Sequence, residues 1–164
     1  MSIPSAERTL LSGNTSICRI LNGMWQVSGG HGPINPDAAV KSMIQHHDSG
    51  FTTWDLADHY GPAEDFIKVF RSNLQKTRGS SSLETIQAFT KWVPRPGSMT
   101  REIVEANIDI SITRMGVPYL DMLQFHWWEY DHPGYKDALQ LLADMKTRDG
   151  SQKLVRNLAL TNFD

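Results

Sequence analysis

Apolar residues along this chain repeat with two spacings, which predict alternating helices and strands. Helical spacing runs through four segments. Asn35 and Pro36 open the first helix, Thr100 opens the third, and Pro62 and Pro133 precede the second and fourth. Glycines favour the ends of three of these helices, at Gly50, Gly116 and Gly150.

Short apolar runs separate the helices and have the length of strands. They occupy residues 17–21, 51–54, 86–90, 120–125 and 154–160. Strands that alternate with helices in this way are typical of a parallel sheet, so the pattern predicts an α/β fold.

The spacing of the predicted strands indicates repeated strand–helix units. Trp25, Asp55, Lys91, His126 and Asn162 each follow a predicted strand, and they are 30, 36, 35 and 36 residues apart. One such unit takes roughly 30 residues or more. A complete barrel of eight units typically needs about 250 residues. The 164 residues therefore predict a partial (β/α)8 TIM barrel of five parallel strands with intervening helices, which is incomplete.

The chain contains no composition shift that would mark a linker between two domains. Residues 1–16 are polar and rich in Ser and Thr, and we interpret them as an extended or poorly ordered lead-in. We expect residues 17–164 to form a single domain that is truncated after its fifth strand.

Composition and charge narrow the classes of partner. Hydrophobic residues make up 40% of the chain and charged residues 21%, as in a globular protein. With 16 Lys and Arg against 18 Asp and Glu, the net charge of −2 favours neither nucleic acid nor an anionic membrane. No apolar stretch approaches the roughly 18 residues of a membrane span.

The cysteine content indicates the kind of cellular compartment in which the protein is found. Cys18 is the only cysteine, which excludes an internal disulfide and fits a reducing environment. Residues 1–11 lack the basic and then apolar pattern of a signal peptide. We therefore expect a cytoplasmic protein.

Four side chains at or just past the predicted strand ends carry acid–base chemistry: Asp55, Tyr60, Lys91 and His126. In parallel α/β folds, the carboxyl ends of the strands meet on one face. A nearby ammonium lowers the pKa of a tyrosine, which lets Lys91 turn Tyr60 into a general acid. Asp55 would hold Lys91 through an ion pair, and His126 would orient a substrate carbonyl or share the proton with Tyr60. This set predicts carbonyl reduction.

Five segments together resemble the aldo-keto reductases. Residues 55–64 (DLADHYGPAE) resemble the motif of that family's second strand, 89–92 (FTKW) the third and 123–127 (LQFHW) the fourth. Residues 22–25 (NGMW) are similar to its first strand–helix turn, and 160–164 (LTNFD) to its fifth strand. The five segments occur in the family's order, and the resemblance extends over roughly residues 17–164, nearly the whole chain.

The resemblance implies an NADP(H)-dependent oxidoreductase that reduces aldehydes or ketones to alcohols. It makes Tyr60 the proton donor and Asp55, Lys91 and His126 the rest of a catalytic tetrad. The residues implied for cofactor binding are Gly23, Met24, Asp55, Thr161 and Asn162. Those implied for the substrate pocket are Trp25, Trp92 and Trp127.

The chain departs from the family pattern where it stops, at Asp164. Strands six to eight of the family bring a glutamine for the nicotinamide carboxamide, an aromatic ring that stacks on the nicotinamide and basic residues for the 2′-phosphate. We therefore hypothesise a truncated gene product, a splice form or an incomplete gene model of a reductase, whose activity by itself is open, and we expect it to bind NADPH weakly or not at all. Unpaired edge strands also predict self-association.

Two other functions stay open at this point. A metal-dependent barrel hydrolase would use Asp55, His59 and His126, but the chain lacks a close His-x-His pair, so we predict no metal site. A non-catalytic, reductase-like binding or regulatory subunit would share the same motifs.

Overall fold

The computed structural model describes residues 5–11, 15–147 and 154–163, and strands and helices alternate along them. The strands are β1 Arg8–Leu10, β2 Ser16–Cys18, β3 Asn22–Gly23, β4 Thr53–Asp55, β5 Gln87–Trp92, β6 Met122–His126 and β7 Leu158–Thr161. The helices are α1 Pro36–Asp48, α2 Ala63–Arg78, α3 Arg101–Met115 and α4 Gly134–Thr147. Two short 3₁₀ helices lie at Trp25–Val27 and Ser80–Thr85.

Strands β3 to β7 form one parallel sheet in which each strand pairs with the next in sequence. Consecutive helices pack on one another. Right-handed connections between sequential parallel strands place all the helices on the same side of the sheet. This is the arrangement of a barrel wall, and it confirms the predicted five parallel strands with intervening helices. Within the described residues the sheet stays open, with β3 and β7 as its edges.

The predicted helix ends are confirmed at the residues that signalled them. The Asn35 side chain accepts a hydrogen bond from the Ala38 N–H at 3.0 Å, and the Thr100 hydroxyl accepts one from Ile103 at 3.4 Å. Gly116 ends α3 at a φ of 61°, a left-handed conformation that favours glycine. Gly150 lies outside the described residues. None of the helices in the described ranges is long and apolar enough to span a bilayer.

The hydrophobic core lies between the sheet and the helices. Alternate strand residues, such as Trp54 on β4 and Phe125 on β6, point toward the helices and are at most 1% exposed. They meet fully buried side chains of the helices, including Phe70, Ile108 and Leu142. Each such side chain contributes about 1.5–3 kcal/mol by leaving water. The other face of the sheet is left for the polar residues of the candidate site.

The prediction that residues 17–21 form the first barrel strand is wrong. Residues 16–18 belong to β2, which pairs antiparallel with β1, and only β3 (Asn22–Gly23) joins the parallel sheet. Part of the predicted lead-in, 1–16, is therefore a strand. This strand, β1, also contacts residues that are distant in the sequence: the Arg8 guanidinium donates to the Thr52 hydroxyl at 3.2 Å and to Gln87 Oε1 at 2.7 Å. The hairpin thus lies at the amino ends of β4 and β5.

His47 on α1 is a buried titratable side chain. Its Nε2 lies 2.7 Å from the Thr85 hydroxyl, and its Nδ1 lies 3.3 Å from the Arg78 guanidinium. Burial, assisted by the positive charge of Arg78, lowers the pKa of His47 below its ordinary value, while Asp48 opposes the shift.

The free energy of unfolding should therefore fall as the pH drops below about 6.5, the ordinary histidine pKa. In that range the unfolded chain binds a proton at His47 that the folded chain excludes, and at higher pH the full stability is present. Urea unfolding at about pH 7.5 and about pH 5.5 measures the change. His47→Gln should lose less stability across this interval than the wild type, and exposed His46→Gln should match the wild type. An identical loss in His47→Gln would refute the prediction.

Candidate active site

The carboxyl ends of the parallel strands bring the sequence-predicted residues to one edge of the sheet. In the strand register Gly23 pairs with Asp55, Lys91 with Gln124, and His126 with Thr161. These pairs lie near the ends of β3 to β7. Since paired residues of parallel strands share a face, the side chains of Lys91 and Gln124 lie on the face opposite the helices.

Asp55 and Lys91 form the centre of the candidate site. Lys91 Nζ donates to both Asp55 carboxylate oxygens at 2.8 Å and to the Leu56 carbonyl oxygen at 2.8 Å. An ammonium has three N–H donors, so these contacts use all of them. The Lys91 side chain is 12% exposed, which limits solvent screening and strengthens the pair. The predicted ion pair between Asp55 and Lys91 is confirmed.

Gln124 is a site residue that motif reading missed. Its side-chain amide donates to Asp55 Oδ1 at 2.7 Å, so the carboxylate is held from two neighbouring strands. The signal was available in the strand pattern, because Gln124 lies two residues before His126 and alternation places both on one face.

Tyr60 lies in the turn between β4 and α2, beside the Lys91 ammonium. Its ring centroid is 5.1 Å from Lys91 Nζ. The ring packs edge-on against Trp25 and against His59, with centroids 4.9 Å away in both cases. A tyrosine held between two rings and next to a cation has the surroundings expected of a general acid.

His126 completes the set and is held as a neutral imidazole. Desolvation lowers the pKa of His126 below its ordinary value; the positive charges of His59 and Lys91 lower it further, and Asp58 opposes them. At neutral pH its ring therefore offers one donor and one acceptor. That state suits a group that orients a carbonyl rather than one that supplies a formal charge.

The three tryptophans predicted for the substrate pocket do not lie together. Trp25 is 46% exposed and contacts Tyr60 and His31, so it faces the site. Trp92 and Trp127 are buried in the core, at 2% and 1% exposure. Trp92 pairs with Phe125 and points toward the helices, because strand residues alternate and its neighbour Lys91 points the other way. The placement of Trp92 and Trp127 in the pocket is corrected accordingly.

Trp128 is the aromatic residue that faces the site next to His126. It is 47% exposed, and its ring meets the imidazole edge-on with centroids 5.2 Å apart. Alternation along the strand would have selected it, since it stands two residues after His126.

The residues predicted to meet the cofactor differ in their exposure. Gly23 is exposed, and a Cβ built there would find no atom within 4 Å, so packing in this structure does not demand glycine. Asn162 is exposed and has a φ of 63°, a left-handed conformation that costs energy in a non-glycine residue. Thr161 is half-buried beside it. Met24 donates its backbone N–H to the Asp55 carbonyl at 2.9 Å, and its side chain lies in the core.

The residues of the hydrolase alternative are engaged elsewhere. Asp55 is bound by Lys91 and Gln124, while His59 Nδ1 lies 2.9 Å from Asp58 Oδ1. In the part of the chain that the structure describes, no three His, Cys, Asp or Glu side chains are grouped to hold a metal ion.

The chain is similar in sequence and in fold to known reductases. L-Glyceraldehyde 3-phosphate reductase of Escherichia coli K12 is 28% identical over 125 residues, which are 73% of this chain and 36% of that protein. A thermostable aldo-keto reductase crystallised with the inhibitor epalrestat superposes with a TM-score of 0.76 at 21% identity, over 96% of this chain and 54% of that one. A Bombyx mori aldo-keto reductase in complex with NADP superposes with a TM-score of 0.77 at 17% identity, over 97% and 51%.

The comparisons also confirm the fold and show what share of its relatives' length the chain spans. The five strands and their helices superpose on part of the (β/α)8 barrel of the solved reductases, which confirms the predicted partial barrel. The chain spans about a third of the curated relative and about half of each solved structure. The model of the Aldo/keto reductase family matches residues 19–164, nearly the whole chain, and on that match this protein belongs to the aldo/keto reductase family.

Proposed function

We propose that this chain carries the catalytic half of an NADP-dependent oxidoreductase that reduces aldehydes or ketones to alcohols. The observation that supports this most is the Asp55–Lys91 ion pair with the Tyr60 ring 5.1 Å from the ammonium. A lysine ammonium held at a fixed place beside a phenol stabilises the phenolate that remains once the tyrosine has given its proton to a carbonyl oxygen.

The chemistry divides among the four catalytic residues. Tyr60 donates the proton of its hydroxyl to the carbonyl oxygen. The Lys91 ammonium stabilises the phenolate that remains, and Asp55 and Gln124 keep Lys91 in place. His126, as a neutral imidazole, donates a hydrogen bond that aligns the carbonyl with Tyr60. When bound, NADPH supplies the hydride that reaches the carbonyl carbon.

Two exposed residues fit the cofactor. The open space above Gly23 would let a flat ring pass close to the backbone. The strained backbone of Asn162 directs an exposed side-chain amide, and strain of this kind clusters at ligand sites. Thr161 adds a hydroxyl beside it. We assign the substrate side of the pocket to Trp25 and Trp128, whose exposed rings suit an apolar carbonyl compound.

The test supplies the half of the barrel that lies beyond β7. We would fuse residues 1–163 to the remaining half of the Escherichia coli relative, and we call this fusion the hybrid reductase. Oxidation of NADPH, followed by its absorbance with a panel of aldehydes and ketones, should be faster with the hybrid than with the bacterial half alone. A folded hybrid that binds NADPH and reduces none of them would disprove the proposed activity.

We further propose that the chain alone self-associates. Among the described strands β7 pairs only with β6, and Leu160 on β7 is 52% exposed although it shares a face with buried Phe125. Unpaired N–H and C=O groups beside exposed apolar surface favour pairing with another chain.

Light scattering on the purified chain should therefore give a mass above that of the 18.5 kDa monomer. Leu160→Lys should lower the association by placing a charge on the edge strand. The exposed residue Ile110→Lys on α3 is the control, because it lies away from the sheet edges. A stable wild-type monomer that binds NADPH tightly would contradict this proposal.

The proposed location is the cytoplasm. It rests on Cys18, which is free and buried, as expected of a chain made in a reducing compartment.

A further inference from the structure

Arg114 on α3 directs its guanidinium at the turn that carries Tyr60. Its Nη1 donates to the Asp58 carbonyl oxygen at 3.0 Å, and its Nη2 donates to the Gly61 carbonyl oxygen. These two carbonyls lie on either side of Tyr60 in the sequence. The guanidinium therefore grips the backbone of the turn at both ends.

The same guanidinium is anchored by two carboxylates at the start of α2. Asp65 Oδ2 accepts from Nε at 3.3 Å and from Nη2 at 3.1 Å, and Glu64 Oε2 lies 3.1 Å from Nη1. Asp58, Gly61, Glu64 and Asp65 all belong to one eight-residue segment, 58–65. One side chain thus ties the turn to the helix that follows it.

Glu64 extends this network to the strand that carries Lys91. Its side chain is fully buried, and its Oε1 accepts a hydrogen bond from the Thr90 hydroxyl at 2.7 Å. Burial raises the pKa of Glu64 above its ordinary value, and the Thr90 and Ser111 hydroxyls and Arg114 oppose that shift. Thr90 directly precedes Lys91 on β5, so the buried hydrogen bond between Thr90 and Glu64 links the network around the Tyr60 turn to the strand that carries Lys91.

The turn has little freedom on its other side. Gly61 has a φ of 52°, and a Cβ built there would lie 2.7 Å from the Ser28 carbonyl oxygen. Ser28 caps the short 3₁₀ helix that begins at Trp25, the residue that packs on Tyr60. The Tyr60 turn therefore packs closely against this 3₁₀ helix. Because of that, a contact that fixes the backbone of the turn also fixes the position of the Tyr60 ring.

We propose that Arg114 is the positioning residue of the active site, which holds the Tyr60 turn so that the phenol stands beside the Lys91 ammonium. Arginine suits this task because its planar guanidinium presents five donors in a rigid fork, while lysine presents a single ammonium. The proposal depends on the proposed function only in treating Tyr60 as the proton donor.

The test follows Tyr60 directly in the 164-residue chain. We would label the tyrosines with 3-fluorotyrosine and assign the ¹⁹F resonance of Tyr60 with the Y60F variant. Arg114→Lys keeps a positive charge next to buried Glu64 but cannot reach both carbonyls, so the Tyr60 resonance should shift and broaden. The resonances of Tyr119, Tyr130 and Tyr135 should stay in place.

Two further variants keep the test decisive. Arg114→Met with Glu64→Gln removes both members of the ion pair between partly exposed Arg114 and buried Glu64, which preserves the fold better than leaving the buried carboxylate unpaired, and it should displace the Tyr60 resonance as Arg114→Lys does. Arg101→Met is the matched control, because Arg101 lies on the same helix and contacts Glu105 and Asp144 instead.

The outcomes separate cleanly. A Tyr60 resonance that stays in place in both Arg114 variants overturns the proposal. A common displacement of all four tyrosines also overturns it, because Arg114 would then support the fold in general. Failure of the hybrid reductase to reduce carbonyls would reject the proposed function and leave this result standing.

Discussion

Replacing Tyr60 by phenylalanine should reduce kcat of the hybrid reductase by about 10²–10⁴-fold, the usual contribution of a positioned general acid. The change removes only the hydroxyl. The ring would still pack against Trp25 and His59, whose centroids lie 4.9 Å away. Affinity for NADPH, measured by its fluorescence, should therefore stay near that of the unmodified hybrid while turnover is lost.

A matched control is available at the opposite end of the sheet. Tyr119 precedes β6, and its ring lies 3.8 Å from the Arg156 guanidinium, away from the candidate site. Tyr119→Phe removes the same atom and should leave kcat unchanged. If Tyr60→Phe retained the turnover of the hybrid, the proton would have to come from another group, and the assignment of Tyr60 would fail.

Features governed by local sequence could be predicted. The termini of α1 and α3 follow from single residues: Asn35 and Thr100 supply side-chain acceptors at the first turn, and Gly116 adopts a positive φ at the end of α3. The strand–helix spacing likewise predicted five parallel strands. The grouping of Asp55 with Lys91 followed once the strands were known to be parallel, because their carboxyl ends lie on one edge.

The wrong predictions concerned which face of the sheet a side chain points to and which strand a segment pairs with. The local sequence pattern determines neither of these. Trp92 follows Lys91 directly, so a motif that includes both suggests a common pocket, yet adjacent strand residues point to opposite faces. Trp128 has the right spacing from His126, and the structure places it there. Residues 17–21 have strand composition, but Ser16–Cys18 pairs antiparallel with β1 instead of joining the parallel sheet, and Arg8 ties this hairpin to Thr52.

Residues that act through contacts distant in sequence were also missed. Gln124 reaches Asp55 across 69 positions, and Arg114 reaches Asp58 across 56. Strand alternation places Gln124 on the face of the site but does not show that it reaches Asp55, and no sequence pattern indicates the contact of Arg114 with Asp58, because each contact depends on which elements become neighbours. Both contacts nevertheless hold backbone or side chains of the candidate site in place. The residues that support the site are therefore harder to predict from the sequence than the residues that would carry its chemistry.

Replacing Lys91 by methionine should cost both activity and stability. The ammonium satisfies both Asp55 oxygens and the Leu56 carbonyl at 2.8 Å. Without it the carboxylate keeps Gln124 and partial solvent contact, and an acceptor left without its partner costs about 1–3 kcal/mol in the free energy of unfolding. The phenolate of Tyr60 also loses its stabilising charge. We therefore expect kcat of the hybrid to fall by about 10²-fold or more.

A second substitution separates the two losses. Asp55→Asn in the Lys91→Met background removes the unpaired charge, and the free energy of unfolding in urea should recover because neutralising both members of an ion pair is cheaper than breaking it. Turnover should stay low, because the cation beside Tyr60 is still absent. If stability and kcat recovered together, Lys91 would serve only to neutralise Asp55. Recovery of stability alone would assign its charge to the reaction, since the fold would then be intact in a protein that cannot release the proton.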